Sequence, residues 1–511
     1  MNYANLFCVT LPETALEVAA LVALIVDVSV LRKAAQQVRL AVAALLGATG
    51  CAVALALLLH QGRGGLLDSA GQVVLATGGT VAVAQVGILA LTILSLFLLM
   101  GETFTKHVGE FVAVMLMAAT GGLLIASAQD LLVIFASLEL LSLGLYILTA
   151  FAKRSGKSAE GALKYYLFGG MSTAFLLFGF SYLYGLTGST NLHTIMLKLM
   201  TPQAEAAAPL VYIAVATIVA GLGFKVAAVP FHLWAPDAYE GAPAPGAAFI
   251  ASASKVASFA LMISISAAAW HVFDGLTGHG VVTFSMTSAS SLPVYLGFRA
   301  SWMQLLMVVA AVSMVVGNLA ALAQTSVRRL LAYSAIAHAG YLLLGVAFFS
   351  YGPRTAQALL YYIVTYGLTT VGAFGAVAVV EKAMGSDNLD AFLGLSKRNP
   401  ALAAVLLVLF LSLAGIPPLV GFWAKFNLFA AVLAVYPAGA GLVLVILAVA
   451  MSAVSLYYYL QVLKRVYVLP ATVETPVLAH PVTLTVLVLI AAGVVALGCF
   501  PAVLQNWIAG F

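Results

Sequence analysis

Long apolar segments recur along the whole chain and constrain its fold more than any other feature. Of its residues, 63% are hydrophobic and 8% charged, whereas a soluble domain carries about 25% charged residues. A run of about 18 or more apolar residues can cross a bilayer as one helix. We therefore predict an all-α polytopic membrane protein. Its fourteen expected spans are 12–31, 40–60, 82–101, 109–127, 131–152, 160–186, 207–229, 246–272, 299–324, 328–350, 355–381, 400–435, 438–466 and 482–509.

The twelfth segment, 400–435, is too long for one straight helix and contains Gly415, Pro417 and Pro418. Proline interrupts a helix because it lacks a backbone N–H and its ring clashes with the preceding turn. We interpret the segment as one broken helix that crosses once. If it were two spans, every later loop would lie on the opposite side of the membrane.

The positive charges predict the orientation. Fourteen of the 22 Lys and Arg residues fall in loops after odd-numbered spans and four in loops after even-numbered spans. Cytoplasmic loops carry the excess of positive charge, so both termini are expected on the outer, periplasmic side. The first set comprises Arg32, Lys33, Arg39, Lys106, Lys153, Arg154, Lys157, Arg328, Arg329, Lys382, Lys397, Arg398, Lys464 and Arg465. The second comprises Arg63, Lys198, Arg299 and Arg354.

Several kinds of site find no support in the sequence. The net charge of +5 is small and scattered, so no nucleic-acid surface is expected. Cys8, Cys51 and Cys499 are far apart, which argues against zinc, haem attachment and iron–sulfur ligation. Gly221 and Gly223 form a G-x-G without a third glycine in phase, a pattern more typical of helix packing than of a dinucleotide loop.

The segment from Lys225 to Pro245 carries the strongest functional signal. A lysine lies in an apolar run, and Pro230 follows it by five residues. A broken membrane helix with a buried charge is costly and usually marks an ion or proton path. His232 follows the break and is either a simple cap or a proton relay, since its side chain titrates near neutrality.

Four of the 22 basic residues are left for the helices once the loops and the helix ends beside them are counted: Lys164, Lys225, Lys255 and Lys425. Lys164 lies near a cytoplasmic helix end, where snorkelling explains it. The other three lie nearer mid-span, so they need partners or water. Glu139 is the natural partner of Lys225, although a protonated packing carboxyl is the alternative. Ser142 and Tyr146, at i+3 and i+7, extend the polar face of Glu139.

Polar stripes accompany these charges on three spans. Such stripes either hold helices together by hydrogen bonds or line a water-filled path. On span 8 the stripe flanks Lys255, and on span 10 it contains His338. The stripes are Ser252 and Ser258; Ser334, His338 and Tyr341; and Tyr362, Thr365, Tyr366 and Thr369.

Four motifs make the chain resemble the antiporter-like membrane subunits of respiratory complex I, the NADH-quinone oxidoreductase, and the subunit N branch in particular. They are GLGFKVAAVPFHLWAPDAYEGAPAP from Gly221, SASK from Ser252, GNLAALAQTSVRRLLAYSAIAHAGY from Gly317 and SLAGIPPLVGFWAKF from Ser412. The resemblance covers residues 105 to 465.

The resemblance implies roles for individual residues. In that family a glutamate of helix 5 pairs with a lysine of the broken helix 7, and further bases in helices 8, 10 and 12 carry protons onward. The matching positions here are Glu139, Lys225, Lys255, His338 and Lys425, with His232 beside the first break. The family also implies two inverted five-helix repeats, helices 4–8 and 9–13, and broken helices 7 and 12.

The implied organisation is one membrane domain over 1–511. Helices 1–3 would occupy 1–104, the repeats 105–272 and 297–467, and helix 14 residues 480–511. The expected location is the cell inner membrane.

The implied function is proton pumping by a quinone reductase. Expected partners are the lipid bilayer and the other membrane and peripheral subunits of complex I, including neighbouring antiporter-like subunits. No cofactor is expected in this chain, and quinone, NADH, FMN and iron–sulfur clusters would belong to partner subunits. Three alternatives remain: a cation/proton antiporter subunit of the Mrp type, a ferredoxin-fed photosynthetic relative of complex I, and a membrane scaffold.

Overall fold

Helices make up most of the computed structural model, which describes residues 3–200, 208–277, 293–349, 353–471 and 475–510. Residues 278–292, between the two expected repeats, lie outside the described residues. The helices of the first part are α1 Tyr3–Val9, α2 Leu11–Val28, α3 Gln36–His60, α4 Gly79–Leu98, α5 Val108–Ser127, α6 Leu131–Thr149, α7 Gly156–Thr187, α8 Leu192–Lys198, α9 Ala208–Lys225, α10 Trp234–Gly241, α11 Ala244–Ala251 and α12 Ala253–Thr277. Those of the second part are α13 Pro293–Leu322, α14 Val327–Ala347, α15 Pro353–Met384, α16 Leu395–Arg398, α17 Pro400–Ala414, α18 Val420–Val435, α19 Ala440–Tyr467, α20 Pro481–Cys499 and α21 Pro501–Gly510, with 3₁₀ turns at Leu99–Gly101 and Leu389–Phe392.

In the described part of the chain, twelve helical segments are long and apolar enough to cross a membrane. Two of the fourteen expected spans are not among them. Helix α2 carries three acids, Glu13, Glu17 and Asp27, in its 18 residues. The segment 400–435 forms two shorter apolar helices, α17 and α18. The protein is therefore a mostly helical multi-pass membrane protein.

The two expected breaks are present, with ends set by local chemistry. Helix α9 ends at Lys225, about one turn before Pro230. Ala227, in that turn, has a left-handed φ of 61°. The second break follows α17, whose last carbonyls are capped by Gly415 at φ 89°.

A small β-hairpin was not predicted from the sequence. Strands β1 Gly64–Leu67 and β2 Val73–Thr77 pair antiparallel after α3. Tertiary contacts hold the hairpin: Asn191 Nδ2 donates to the Val73 carbonyl at 2.7 Å, and Gln129 N–H donates to the Val74 carbonyl. The hairpin thus lies at the end of the helix bundle where α5 meets α6.

The most enclosed spans lie at the centre of the bundle. In both α11–α12 and α14, 94% of the spanning window is buried, whereas for α19 the figure is 22%. The two central spans carry Lys255 and His338, so the charged residues occupy the best shielded part of the fold.

Candidate functional site

Glu139 of α6 and Lys225 of α9 lie close together inside the bundle. Lys225 Nζ is 4.0 Å from Glu139 Oε1, and the two side chains are 7% and 29% exposed. Each charge also has a hydroxyl partner. Lys225 donates to Ser142 Oγ at 2.7 Å, and Thr173 Oγ1 donates to Glu139 at 2.7 Å. A charge in lipid is costly alone, so pairing and hydrogen bonding lower the cost of both.

The break after Lys225 is closed by specific hydrogen bonds. The indole N–H of Trp234 donates to the Phe224 carbonyl at 3.0 Å, and Ser313 Oγ accepts the N–H of Val229 at 2.9 Å. Trp234 also stacks flat on Tyr165, with ring centroids 3.9 Å apart. These contacts satisfy backbone groups that the broken helix frees, and they fix the helix end that carries the lysine.

Lys255 of α12 is 1% exposed. Its ammonium donates to the carbonyl of Ala335 on α14 at 2.7 Å. It also lies over the ring of Tyr366 on α15, 5.8 Å from the centroid, where a cation–π attraction operates. Lys255 therefore contacts the two helices that hold the next polar groups.

His338 of α14 lies among three tyrosines. Its Nδ1 is 2.9 Å from the hydroxyl of Tyr362. The ring centroids of Tyr366 and Tyr341 are 4.7 and 5.6 Å from that of the imidazole. Among the described residues, Nε2 has no hydrogen-bond partner although it is buried. One nitrogen is thus anchored, and the other is available to water.

Lys425 of α18 is 5% exposed and lies against the second break. Its ammonium donates to the carbonyls of Leu413 and Ala414 at 3.1 and 2.9 Å and to Ser452 Oγ at 2.7 Å. It also lies 5.4 Å from the ring centroid of Tyr341. The carbonyls freed by the break therefore stabilise this cation.

Five side chains form a continuous buried row, which we call the relay: Lys255, Tyr366, His338, Tyr341 and Lys425. The ring contacts described above join each member to the next. Lys225 lies apart from this row. No hydrogen bond or ion pair joins it to Lys255 in the described ranges, so the charged residues form two groups, the Glu139–Lys225 pair and the relay.

His232 is not brought to either group. It lies half-buried between the break and α10, and among the described residues its Nδ1 has no hydrogen-bond partner. Burial lowers the pKa of this imidazole and so favours its neutral form. The hydroxyl of Ser252 donates to the Ala248 carbonyl on α11 and that of Ser258 to the Ser254 carbonyl on α12, so neither hydroxyl bonds to the Lys255 ammonium.

Two partners of the charged residues were not singled out from the sequence, Thr173 and Ser452. For Ser452 the signal exists, because Ser455 and Tyr459 follow it at helical spacing and form a fourth polar stripe on α19. Thr173 lies among exposed apolar residues of α7 and carries no such pattern.

Short helix α10 ties together helices from both parts of the chain. Arg329 of α14 contacts Asp237 at 2.6 Å and Glu240 at 3.0 Å. From α7, Lys164 contacts Asp237 at 2.7 Å and Lys157 contacts Glu240 at 2.7 Å. Burial raises the pKa of each carboxyl, but the hydrogen bonds from these cations outweigh it and lower both pKa values.

The ion pairs of α10 lie at one end of the bundle. Arg328 also joins this end through Glu381 at 2.7 Å. Loops after odd-numbered spans thus meet here, as the charge count predicts for one side of the membrane. Lys164, which the sequence predicts to snorkel, is 40% exposed at this end and forms ion pairs with Glu160 and Asp237.

Within the described ranges, no group of three or more His, Cys, Asp or Glu side chains could hold a metal ion. The side chains collected here are of types that can bind and release protons, and the charged ones are held by hydroxyls, carbonyls and aromatic rings. The arrangement is suited to moving a proton in steps through the membrane.

Comparison with known proteins gives consistent matches over the whole chain. The family model described as NADH:quinone oxidoreductase/Mrp antiporter, transmembrane, matches residues 128–293 and 281–454. NADH-quinone oxidoreductase subunit N 2 of Acidobacterium capsulatum is 49% identical, with 99% of each chain covered. A chain of respiratory complex I from Thermus thermophilus with bound aureothin superposes with a TM-score of 0.74 at 32% identity, covering 97% of this chain and 98% of that one.

An Mrp complex chain from Dietzia sp. superposes with a TM-score of 0.75 at 20% identity, covering 97% of this chain and 96% of that one. At that identity the likeness is one of fold.

Proposed function

Because the chain belongs to the NADH:quinone oxidoreductase/Mrp antiporter family, and within it to the subunit N branch, we propose that it is a proton-translocating membrane subunit of an NADH-quinone oxidoreductase. The observation that carries this proposal is the buried relay from Lys255 to Lys425. Cations in lipid are costly and mark transport paths. NADH, FMN, iron–sulfur clusters and quinone would be held by partner subunits, and this chain would supply the proton route.

The Glu139–Lys225 pair is proposed as the control point. With Glu139 close, the ammonium form of Lys225 is favoured. When a neighbouring subunit draws Glu139 away, burial disfavours the charged lysine and its proton moves on. The pair suits this role because Ser142 and Thr173 offer each charge a second partner. Glu139 is also the more exposed of the two, and α7 beside it is largely exposed, so a neighbour can reach it.

The relay is proposed to carry the proton onward. Lys255 and Lys425 each alternate between ammonium and neutral amine, and His338 passes the proton between them through its free Nε2 and water. The Ser452 hydroxyl and the carbonyls at the break stabilise the ammonium of Lys425 until release to the outer side. His232 is proposed to relay protons near the first break, where its unpartnered Nδ1 can bind water.

The fourteen-span topology and the inverted repeats belong to the same proposal. Helices 4–8 would form one repeat within 105–272 and helices 9–13 the other within 297–467. The support is that broken helices occur at the corresponding places, after α9 and after α17, each with a lysine beside the break. Both termini would lie on the outer side of the inner membrane.

Copurification tests the assignment. We expect the tagged chain to copurify with iron–sulfur and quinone-binding subunits in one large complex, and NADH oxidation by reconstituted vesicles to drive proton uptake. Isolation of small hydrophobic subunits alone, with cation-dependent proton exchange, would instead identify the Mrp-type antiporter. The 20% identity to the Mrp chain gives that alternative support from the fold alone.

A further inference from the structure

A second cluster of titratable groups lies outside the relay, at the end of the bundle that carries the ion pairs of α10. A cavity of about 60 Å³ lies between α4, α11, α15 and α20. Its lining includes the side chains of Glu102, Lys382, His480 and Thr483. A buried water occupies roughly 10–15 Å³ of such space, so the cavity holds about four waters.

Two side chains show that the cavity is built for water. Thr483 is 4% exposed, and its hydroxyl has no hydrogen-bond partner among the described residues. Nδ1 of His480 is buried and equally without a partner there. Buried polar groups are nearly always hydrogen-bonded, so both atoms call for ordered water in the adjoining space. The cavity provides that space.

The cavity is open to solvent. Leu478, which is 84% exposed, lines it, and the ammonium of Lys382 donates to the carbonyl of Gly101, which also lines it. Water can therefore reach it from the solvent around the loops. Ala244 and Gly375, which belong to two spans that run into the membrane, form part of its wall.

The two spans that carry these wall residues lead to the relay. Ala244 begins the span that carries Lys255, eleven residues or roughly 16 Å farther in. Gly375 is on α15, nine residues or roughly 14 Å from Tyr366. Buried hydroxyls occur between these levels, at Ser252 and Thr370. Each donates to a backbone carbonyl four residues earlier and keeps lone pairs for water.

We propose that this cavity is a proton-loading site, in which Glu102 and His480 take up protons from the cytoplasmic side and deliver them through water toward Lys255. The proposal rests on the proton-translocating function proposed above and identifies its intake. The surroundings of Glu102 fit this role. Burial raises the pKa of Glu102, and the negative charge of Glu381 raises it further. The positive charges of Arg328 and Lys382 oppose this rise in part. Glu102 can thus hold a proton closer to neutral pH than an ordinary carboxyl.

The test is the pH profile of proton uptake by the assembled complex in inverted vesicles, whose cytoplasmic face is outward. In Glu102→Gln, protons must load from bulk water. The alkaline half-point, which is the pH at which the rate of proton uptake falls to half its maximum on the alkaline side, should therefore move down by about one pH unit, the usual scale of such shifts. Thr483→Val keeps the cavity's shape but removes a water ligand, and it should move the half-point in the same direction. Asp390→Asn, at a carboxylate on the same face that is 84% exposed, should match the unmodified protein.

A pH profile unchanged in both Glu102→Gln and Thr483→Val, at normal assembly on a native gel, would overturn the loading site. Lys255→Ala in the same series separates this inference from the proposed function, because both depend on Lys255. Lost uptake in Lys255→Ala with unchanged cavity variants refutes the loading site alone. Normal uptake in Lys255→Ala at every pH refutes the proton-translocating function itself.

Discussion

The ammonium of Lys225 and the carboxylate of Glu139 lie 4.0 Å apart, and neither is the other's closest partner. Hydroxyls of Ser142 and Thr173 are each 2.7 Å from one of the two charges. The pair is therefore poised between a tight ion pair and separation, so a small displacement from a neighbouring subunit can change which protonation state of Lys225 is favoured.

Ser142→Ala should tighten the pair and slow pumping. Without its hydroxyl partner, Lys225 moves toward Glu139 and holds its proton more firmly. A hydrogen bond to a charged group is worth about 1.5–3 kcal/mol, so a roughly tenfold loss of pumping rate is expected. Ser137→Ala, on the same helix, removes a hydroxyl that bonds to its own helix and should leave the rate unchanged. Equal rates in the two variants would contradict the role of Ser142.

Tyr362→Phe should impair the relay at His338. It removes the hydroxyl 2.9 Å from Nδ1, so the imidazole loses the anchor that orients its free nitrogen. Tyr361→Phe is a matched control, because among the described residues the buried Tyr361 hydroxyl has no hydrogen-bond partner. We expect slower proton uptake in vesicles for the first variant and a normal rate for the second. The reverse order would show that His338 is oriented by something else.

The ion pairs of α10 predict how stability depends on pH. Lowered pKa values at Asp237 and Glu240 mean that the pairs stabilise the fold above the ordinary carboxyl pKa. That stability is lost as the pH falls through the lowered values. Asp237→Asn should lower the free energy of unfolding by about 1 kcal/mol at pH 7, measured by thermal unfolding of the purified protein. On acidification the variant should then lose less stability than the unmodified protein loses.

Glu160→Gln controls for a general loss of negative charge, because this carboxylate is 63% exposed and pairs within its own helix. It should unfold like the unmodified protein at every pH. If Glu160→Gln lost as much free energy of unfolding at pH 7 as Asp237→Asn does, the effect would come from surface charge in general and not from the ion pairs of α10.

Gly415→Ala should destabilise the second break. Gly415 has φ 89°, and a Cβ there would lie 3.1 Å from Cδ of Lys425. The left-handed conformation costs a residue with a Cβ about 1–2 kcal/mol. Gly170→Ala, in the middle of α7 with open space around it, should be neutral or stabilising by up to about 1 kcal/mol. Thermal unfolding of both variants measures the difference, and equal stability would show that the break does not require glycine here.

Spans and buried charges could be predicted from the sequence because both follow from the cost of polar groups in lipid. Lys255 and His338 lie on the two most enclosed spans, as expected for polar groups that must be shielded from lipid. Helix ends were less predictable: α9 stops a turn before Pro230, and residues 482–509 form two helices divided at Pro501, since local backbone geometry sets the ends. The hairpin depends on contacts with Asn191 and Gln129 and has no strong local pattern.

The partners of the charged residues were harder to predict than the residues themselves. Which hydroxyl meets Lys425 depends on the rotation of α18 against α19, a tertiary quantity. The sequence likewise gave no reason to group Glu102 with His480, which are 378 positions apart in the numbering. Only the packing of α4 against α20 brings them to one cavity.

The central claim is that Lys425 gives up a proton in each cycle, and Lys425→Arg tests it most directly. Arginine keeps the positive charge but stays protonated in proteins, so it can replace an anchor but not a proton carrier. Lys464→Arg, an exposed lysine on the next span, serves as the matched control. The measurement is proton pumping by the intact complex in vesicles, with assembly checked on a native gel. We predict that Lys425→Arg assembles normally and pumps poorly, as Lys425→Ala does, while Lys464→Arg pumps normally. Full pumping by Lys425→Arg would remove Lys425 from the proton path.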